Sequence, residues 1–341
     1  MKTTKLVFAA ACASALTVGL ITAPAQAAPV TGKAGIAAVG GMAAVRDAAT
    51  GQASAMSAAS AQQALDAYWT KDRMKAATPV VEADGAASTT ATPAKERVKP
   101  MRAEEPMAAL LNSAGGVGTQ DAAFSFTTGR IFFFDPEERT DKWCSGGAAT
   151  GTRRRLVLTA AHCVHGGPGR TWKQNWVFVA GYQAGNEPVG RFSAFQFWVL
   201  TPWLNDRDRH YDYSFVITNN NQFGQRVVDA VGGHGLVSNA GRPFVHVAGY
   251  PGNRDGGEIQ WYCWGTTSRR SLFNSDQKIG CAWGGGSSGG PWLRDYNHTN
   301  GLGMAISVTS SGPDCVCEIY GPYFDDALWT LRDAANNASP A

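Results

Sequence analysis

An all-β fold, a sandwich or a barrel, is predicted for the chain from about Phe124 onward, and three observations predict it. Short runs of β-branched and aromatic residues recur there: Arg130-Ile131-Phe132-Phe133-Phe134, Leu156-Val157-Leu158-Thr159, Trp176-Val177-Phe178-Val179, Tyr213-Ser214-Phe215-Val216-Ile217, Phe244-Val245-His246-Val247 and Gly303-Met304-Ala305-Ile306-Ser307-Val308. Clusters of Gly, Asn and Pro separate them, as tight turns require. Ten of the eleven Trp and six of the seven Cys follow residue 140, so the part with most to bury and to cross-link is C-terminal. One helix completes the pattern, from Pro322 to about Asn336, where Phe324, Ala327, Leu328 and Leu331 make a single apolar stripe.

The chain ahead of these strands reads differently. Lys2 and Lys5 precede an apolar run from Leu6 to about Thr22, and Ala25-Gln26-Ala27 follows, which is the layout of a secretory signal over residues 1–27. A membrane anchor is the alternative, but the run is short for a span and diluted by Ala, Ser, Thr and Gly. Cys12 leaves with such a signal, and the six remaining cysteines read as disulfides of an exported protein. Residues 28–120 are rich in Ala, Ser, Thr and Gly. They hold one helical spacing, at Ala61, Ala64, Leu65 and Tyr68 within Ala58–Ala77, and low-complexity pieces such as Ala86-Ala87-Ser88-Thr89-Thr90. Such a segment buries little by itself. It reads as a linker or, between a signal and a compact domain, as a pro-segment. The 341 residues allow two or three domains, and 44% apolar with 17% charged residues excludes wholesale disorder. A net charge of +3 without a dense Lys/Arg patch argues against nucleic acid as a partner.

Three local patterns carry chemistry. Thr159-Ala160-Ala161-His162-Cys163 follows a strand directly, and its small residues let a turn pack tightly around His162. Cys163 could tie that turn to Cys144, or join His162 and His165 as a metal ligand, but no second Cys/His cluster lies near and no metal is expected. Gly284-Gly285-Gly286-Ser287-Ser288-Gly289-Gly290-Pro291-Trp292 is a poor linker, because a strand follows at once. A serine in such a turn can point outward while the N–H groups of Gly286 and Ser288 converge on one point, as an oxyanion hole needs. Asp212 heads an apolar strand that drags its carboxylate inward, where a histidine N–H is a natural partner. Its rivals Asp206 and Asp208 sit in the charged run Asn205–His210, which reads as a solvated loop.

The order His162, Asp212, Ser288, with TAAHC and Gly286-Ser287-Ser288-Gly289-Gly290-Pro291, resembles the trypsin/chymotrypsin family of serine peptidases over roughly residues 124–336. The Gly-Ser-Ser-Gly-Gly-Pro-Trp wording and Tyr320-Gly321-Pro322-Tyr323-Phe324 are most similar to secreted bacterial members related to glutamyl endopeptidases. The resemblance implies two six-stranded Greek-key barrels over 121–341, with the site between them and a C-terminal helix. It implies acyl transfer in which Ser288 attacks, His162 moves the proton and Asp212 orients His162, with no cofactor, on protein or peptide substrates, by a secreted monomer with no membrane role once the signal is cut. A catalytically silent homologue used as a binding module is the alternative. Resemblance and loop size favour the pairs Cys144–Cys163 and Cys263–Cys281, leaving Cys315 and Cys317.

The departures from the family are equally specific. Ser287 stands where many animal members carry an Asp that pairs with a freed N-terminus. Arg130-Ile131 therefore need not be an activation site, and Ile131 is expected inside the first strand. Ala282, six before the nucleophile, removes the acidic partner of a Lys/Arg preference. Ser307 and Thr309 are the other expected substrate-binding positions. Without the N-terminal switch, the pro-segment is expected to cover the cleft or to assist folding, with the loop Trp283–Gly290 formed beforehand.

Overall fold

A computed structural model describes residues 30–31, 36–47, 50, 52–55, 57–82, 99–110, 124–272 and 274–340. The signal at 1–27 and the low-complexity piece at 86–90 lie outside the described residues.

Six strands build the first half: β1 (Thr128–Asp135), β2 (Thr140–Ala149), β3 (Leu156–Thr159), β4 (Gln174–Ala180), β5 (Phe192–Leu200) and β6 (Ser214–Thr218). They pair antiparallel in the order β1-β2-β3-β6-β5-β4 and back to β1, a closed Greek-key barrel. Side chains alternate across a strand, so Ile131 and Phe133 of β1 join one core and Phe132 and Phe134 another. The second core lies outside the barrel. There helices Ala58–Tyr68 and Lys71–Ala76 set Leu65, Tyr68, Trp69 and Met74 against Phe132, Phe134, Val177 and Val179. A strand covered on both faces has no reason to alternate, which accounts for the unbroken Ile-Phe-Phe-Phe run. Trp69 is 1% exposed, and its indole N–H donates to the Asn175 carbonyl at 2.7 Å. The segment from 28 to 120 thus buries more than its composition suggests, because the barrel supplies the other half of the core. The helical stretch expected over Ala58–Ala77 is two helices, split where the Thr70 side chain caps the second by accepting from Arg73 N–H. Strand Ala37–Met42 adds to β5.

The second half winds the same way. Its strands are β7 (Gly235–Ser238), β8 (Phe244–Gly249), β9 (Trp261–Thr266), β10 (Ser268–Ser271), β11 (Asn274–Ile279), β12 (Pro291–Asn297), β13 (Leu302–Val308) and β14 (Ile319–Gly321). β9 and β10 are one run interrupted at Thr267. The path goes β13-β12-β8-β9/β10-β11-β14. Between β14 and β13 the ladder shrinks to a corner, where Ser310 N–H donates to the Tyr320 carbonyl at 2.8 Å and Tyr320 N–H to the Ser311 carbonyl at 2.8 Å. β7 lies parallel on β13 and pairs on its other edge with Arg102–Glu104. The molecule is therefore mostly β, a chymotrypsin-like double barrel. The last helix, Ala327–Ala338, returns to the first barrel and buries Leu328 and Leu331 in its core. Among the described residues no helix is long and apolar enough to cross a membrane. Ile131 is fully buried inside β1, and Arg130 beside it is buried and paired with Glu258 at 2.7 Å.

Candidate active site

β3 ends at Thr159, and a single turn of tight helix, Ala161–Cys163, carries His162. The disulfide Cys144–Cys163 ties that turn to β2. Asp212 stands just ahead of β6 and is fully buried. Its carboxylate accepts the His162 backbone N–H at 2.9 Å, the His162 Nδ1–H at 2.8 Å and the Ser310 hydroxyl at 2.5 Å. Burial pushes the Asp212 pKa up, but the His162 charge and hydrogen bond, with Arg209 and Ser310, outweigh it and hold the carboxyl below its ordinary range. An ionised carboxylate only accepts, so Nδ1 carries a ring proton toward Asp212. Nε2 is buried and, among the described residues, has no hydrogen-bond partner, the Ser288 hydroxyl included.

Ser288 sits in a turn that glycine makes possible. Gly286 and Gly289 have φ of +86° and +82°. A Cβ on Gly289 would lie 2.0 Å from Thr159 Oγ1 and 2.3 Å from the Ser145 carbonyl oxygen. Ser145, in β2 of the first barrel, fastens this turn: its N–H donates to the Ser288 carbonyl at 2.7 Å and its hydroxyl to the Gly286 carbonyl at 2.9 Å. Ser287 turns inward and donates to the Gly284 carbonyl at 2.8 Å. Among the described residues the Ser288 N–H has no protein acceptor. The Gly286 N–H does have one. It donates to the carbonyl of Val80 at 2.8 Å.

Val80 directly follows a short strand of the N-terminal segment, Thr78–Pro79, that lies in the cleft. Thr78 and Pro79 run parallel to Lys142 and Trp143 of β2, and Val80 N–H donates to the Trp143 carbonyl at 3.1 Å. Two residues on, Glu82 pairs with Arg207 at 2.9 Å and Arg209 at 2.8 Å. Glu82 borders a cleft of about 590 Å³ beside His162 and a smaller pocket of about 240 Å³ beside Ser288. The smaller pocket is lined by Thr309 and by Trp283, whose neighbour Ala282 points away to solvent while its carbonyl accepts from Asn253 at 3.0 Å. Ser307 also lies outside that lining. It is fully buried in β13, with its hydroxyl donating to the Pro322 carbonyl at 2.7 Å.

Cys263–Cys281 and Cys315–Cys317 are the other disulfides. Cys144, His162 and Cys163 bring ligand atoms within 4.8 Å of one another, but the two sulfurs are bonded to each other. Disulfide sulfurs offer no thiolate, so the trio does not fit a metal. His165 lies apart, its Nδ1 accepting from Gly167 N–H at 3.1 Å, and burial lowers its pKa to about 4. Sequence reasoning missed Ser145, Ser310, Arg207 and Arg209. The charged run Asn205–His210 is not simply solvated, since the Arg209 side chain is 12% exposed and faces the cleft.

The fold is matched by solved structures. The protease Anisep from Arthrobacter nicotinovorans is 30% identical, with a TM-score of 0.57, over 63% of this chain and 98% of that one. The chain belongs to the trypsin/chymotrypsin-like serine peptidase family. A second relative is the thermostable serine protease AL20 from an extremophilic microorganism. It is 29% identical with a TM-score of 0.57, over 62% of the peptidase and 97% of its own chain. An extracellular metalloprotease of Bacillus subtilis (strain 168) is 25% identical over 162 residues, 44% of the peptidase; the match spans about half of that protein's length, 46%. No protein-family model matches the chain.

Proposed function

We propose that the chain is a secreted serine endopeptidase made as a precursor, which hydrolyses peptide bonds of protein substrates through an acyl-enzyme and acts as a monomer without a cofactor. Ser288 attacks the scissile carbonyl. His162 Nε2 takes the hydroxyl proton and later gives it to the leaving amine. Asp212 fixes the ring and stabilises the imidazolium, and the N–H groups of Gly286 and Ser288 receive the developing oxyanion. The observation that carries the reading is the buried Asp212 carboxylate holding His162 by both its backbone N–H and Nδ1–H, which leaves Nε2 unengaged among the described residues.

Export is supported by the signal pattern at 1–27 and by three disulfides, which persist in oxidising compartments. The precursor reading draws on two facts. The solved relative Anisep is matched almost end to end by 63% of this chain, and Val80, from the segment ahead of the barrels, occupies the Gly286 N–H. In this reading residues 28–120 are cut away, and 121–341 is the active form. The test uses the protein recovered from culture medium. Fluorophosphonate labelling and peptide turnover in the wild type, lost by about 4–8 kcal/mol of transition-state stabilisation in Ser288→Ala and retained in Ser287→Ala, support it. Equal labelling of Ser288→Ala and wild type overturns it, and an active N-terminus at Ala28 overturns the precursor part.

A further inference from the structure

Glu82 gives its carboxylate to two guanidinium groups. Arg207 Nη2 reaches both oxygens, at 2.9 and 3.0 Å, and Arg209 Nη2 reaches one at 2.8 Å. The Glu82 and Arg209 side chains are only 14% and 12% exposed, so water screens this contact little. Burial raises the Glu82 pKa, but the charges of His162, Arg209 and Arg207 more than offset it and keep the carboxyl below its ordinary 4.5. A surface ion pair formed by chance would show neither the burial nor the doubled donors.

We infer that Arg207 and Arg209 form a substrate subsite that reads a carboxylate, and that Glu82 is the occupant of that subsite in the precursor. The inference rests on the peptidase reading above. Its position follows from the chain itself. The Val80 carbonyl sits on the Gly286 N–H, and Glu82 is two residues further on, about 7 Å along an extended chain. A substrate whose scissile carbonyl takes the place of Val80 brings a side chain two or three positions away to the same arginines. Of the other carboxylates lining this cleft, Asp135 and Glu137 pair with Lys173, Glu138 with Lys142 and Asp276 with His210, Asp208 accepts the His210 backbone N–H, and Asp206 lies next to Arg207 in sequence. Arg209 also lies 3.8 Å from Asp212, which limits how far its guanidinium can turn away. When Glu82 leaves, a part-buried guanidinium loses its nearer carboxylate, and an acidic substrate residue restores it.

The experiment starts from full-length chain processed during secretion. A proteome-derived peptide library is digested, and cleavage sites are read by mass spectrometry. Paired peptides differing only in Glu or Gln at the selected position then give kcat/KM. The expected result is enrichment of Asp and Glu two or three positions from the residue that supplies the scissile carbonyl. We expect about a tenfold Glu-over-Gln preference, equivalent to about 1.4 kcal/mol. That preference is lost in Arg207→Gln and turned toward Lys in Arg207→Glu. The reversal is a readout that a merely structural role would not produce. Arg207, the more exposed of the two, keeps the test available if Arg209 variants fold poorly, and the paired peptides need no variant at all. Cleavage without any acidic preference overturns the subsite alone. An enzyme that neither cleaves peptides nor takes a fluorophosphonate overturns the peptidase reading, and the subsite with it.

Discussion

The two barrels share one winding and differ in how they close. The first is hydrogen-bonded all the way round, and β1 is covered on both faces. The second has a strand broken at Thr267 and a seam held by the Ser310–Tyr320 corner. The closed barrel carries His162 and Asp212, whose proposed roles depend on a buried carboxylate staying in one place. The more open one carries Ser288 and its N–H donors, set by glycine conformations and braced by Cys263–Cys281 just ahead of them. Rigidity thus comes from packing on one side of the cleft and from local chain geometry on the other. The two sides should fail in different ways.

The largest effect is expected on the packed side. Asp212→Asn should cost about 10⁴-fold in kcat, since an amide leaves His162 in the wrong tautomer. KM for a small peptide should stay within a few-fold. A large loss in KM with kcat kept would show that the carboxylate shapes the cleft rather than the proton transfer. On the other side, Gly289→Ala should act through the fold. Its φ of +82° and the 2.0 Å approach to Thr159 Oγ1 should cost about 3 kcal/mol, or roughly 6–12 °C in Tm. Gly280, with nothing within 4 Å of an added Cβ, is the control and should move Tm little as Gly280→Ala. Equal Tm shifts in the two would remove the distinction between the barrels drawn above.

The smallest effect concerns the strand that lies between them. The Glu82 pKa is depressed in the folded chain, so its ion pairs stabilise the docked strand above the ordinary carboxylate range. They are lost as pH falls through the depressed value. Protection of the amides of Thr78 and 80–82 against hydrogen exchange, taken relative to the intrinsic rate at each pH, should be strong near neutral pH and fall below about pH 4, near the ordinary glutamate value. Glu82→Gln should weaken docking by about 1–3 kcal/mol at neutral pH and abolish the acid step. An acid step that persists unchanged in Glu82→Gln would place the sensor elsewhere.

How much of this was legible in advance depended on whether a residue's role is written locally. His162 and Ser288 stand in short motifs, and Asp212 heads a strand, so a linear reading singles them out as candidates. The closed barrel was legible as strands but not as a barrel, because closure is a pairing of β4 with β1 that no local pattern records. Ser310 sits in the run Thr309-Ser310-Ser311, where nothing marks one hydroxyl from the next. Arg207 and Arg209 read as a solvated run because their partner lies 125 positions earlier, in a segment that composition had dismissed. Trp69 was the one available signal there. A lone tryptophan beside an apolar helical stripe asks for a surface to bury it, and β1 and β4 supply that surface.

The fastening of the cleft is reciprocal. Ser145 belongs to the first barrel and grips the Ser288 turn of the second. Ser310 belongs to the second barrel, closes its seam, and grips Asp212 of the first. Neither half owns the whole proposed triad, and each is the other's jig. Under gentle denaturant the first event that parts the halves should therefore disarm acid and nucleophile together, so that loss of turnover reports the parting itself rather than the melting of either half. Two fragments cut between β6 and β7 would each be inert, and activity would return only with their reassociation.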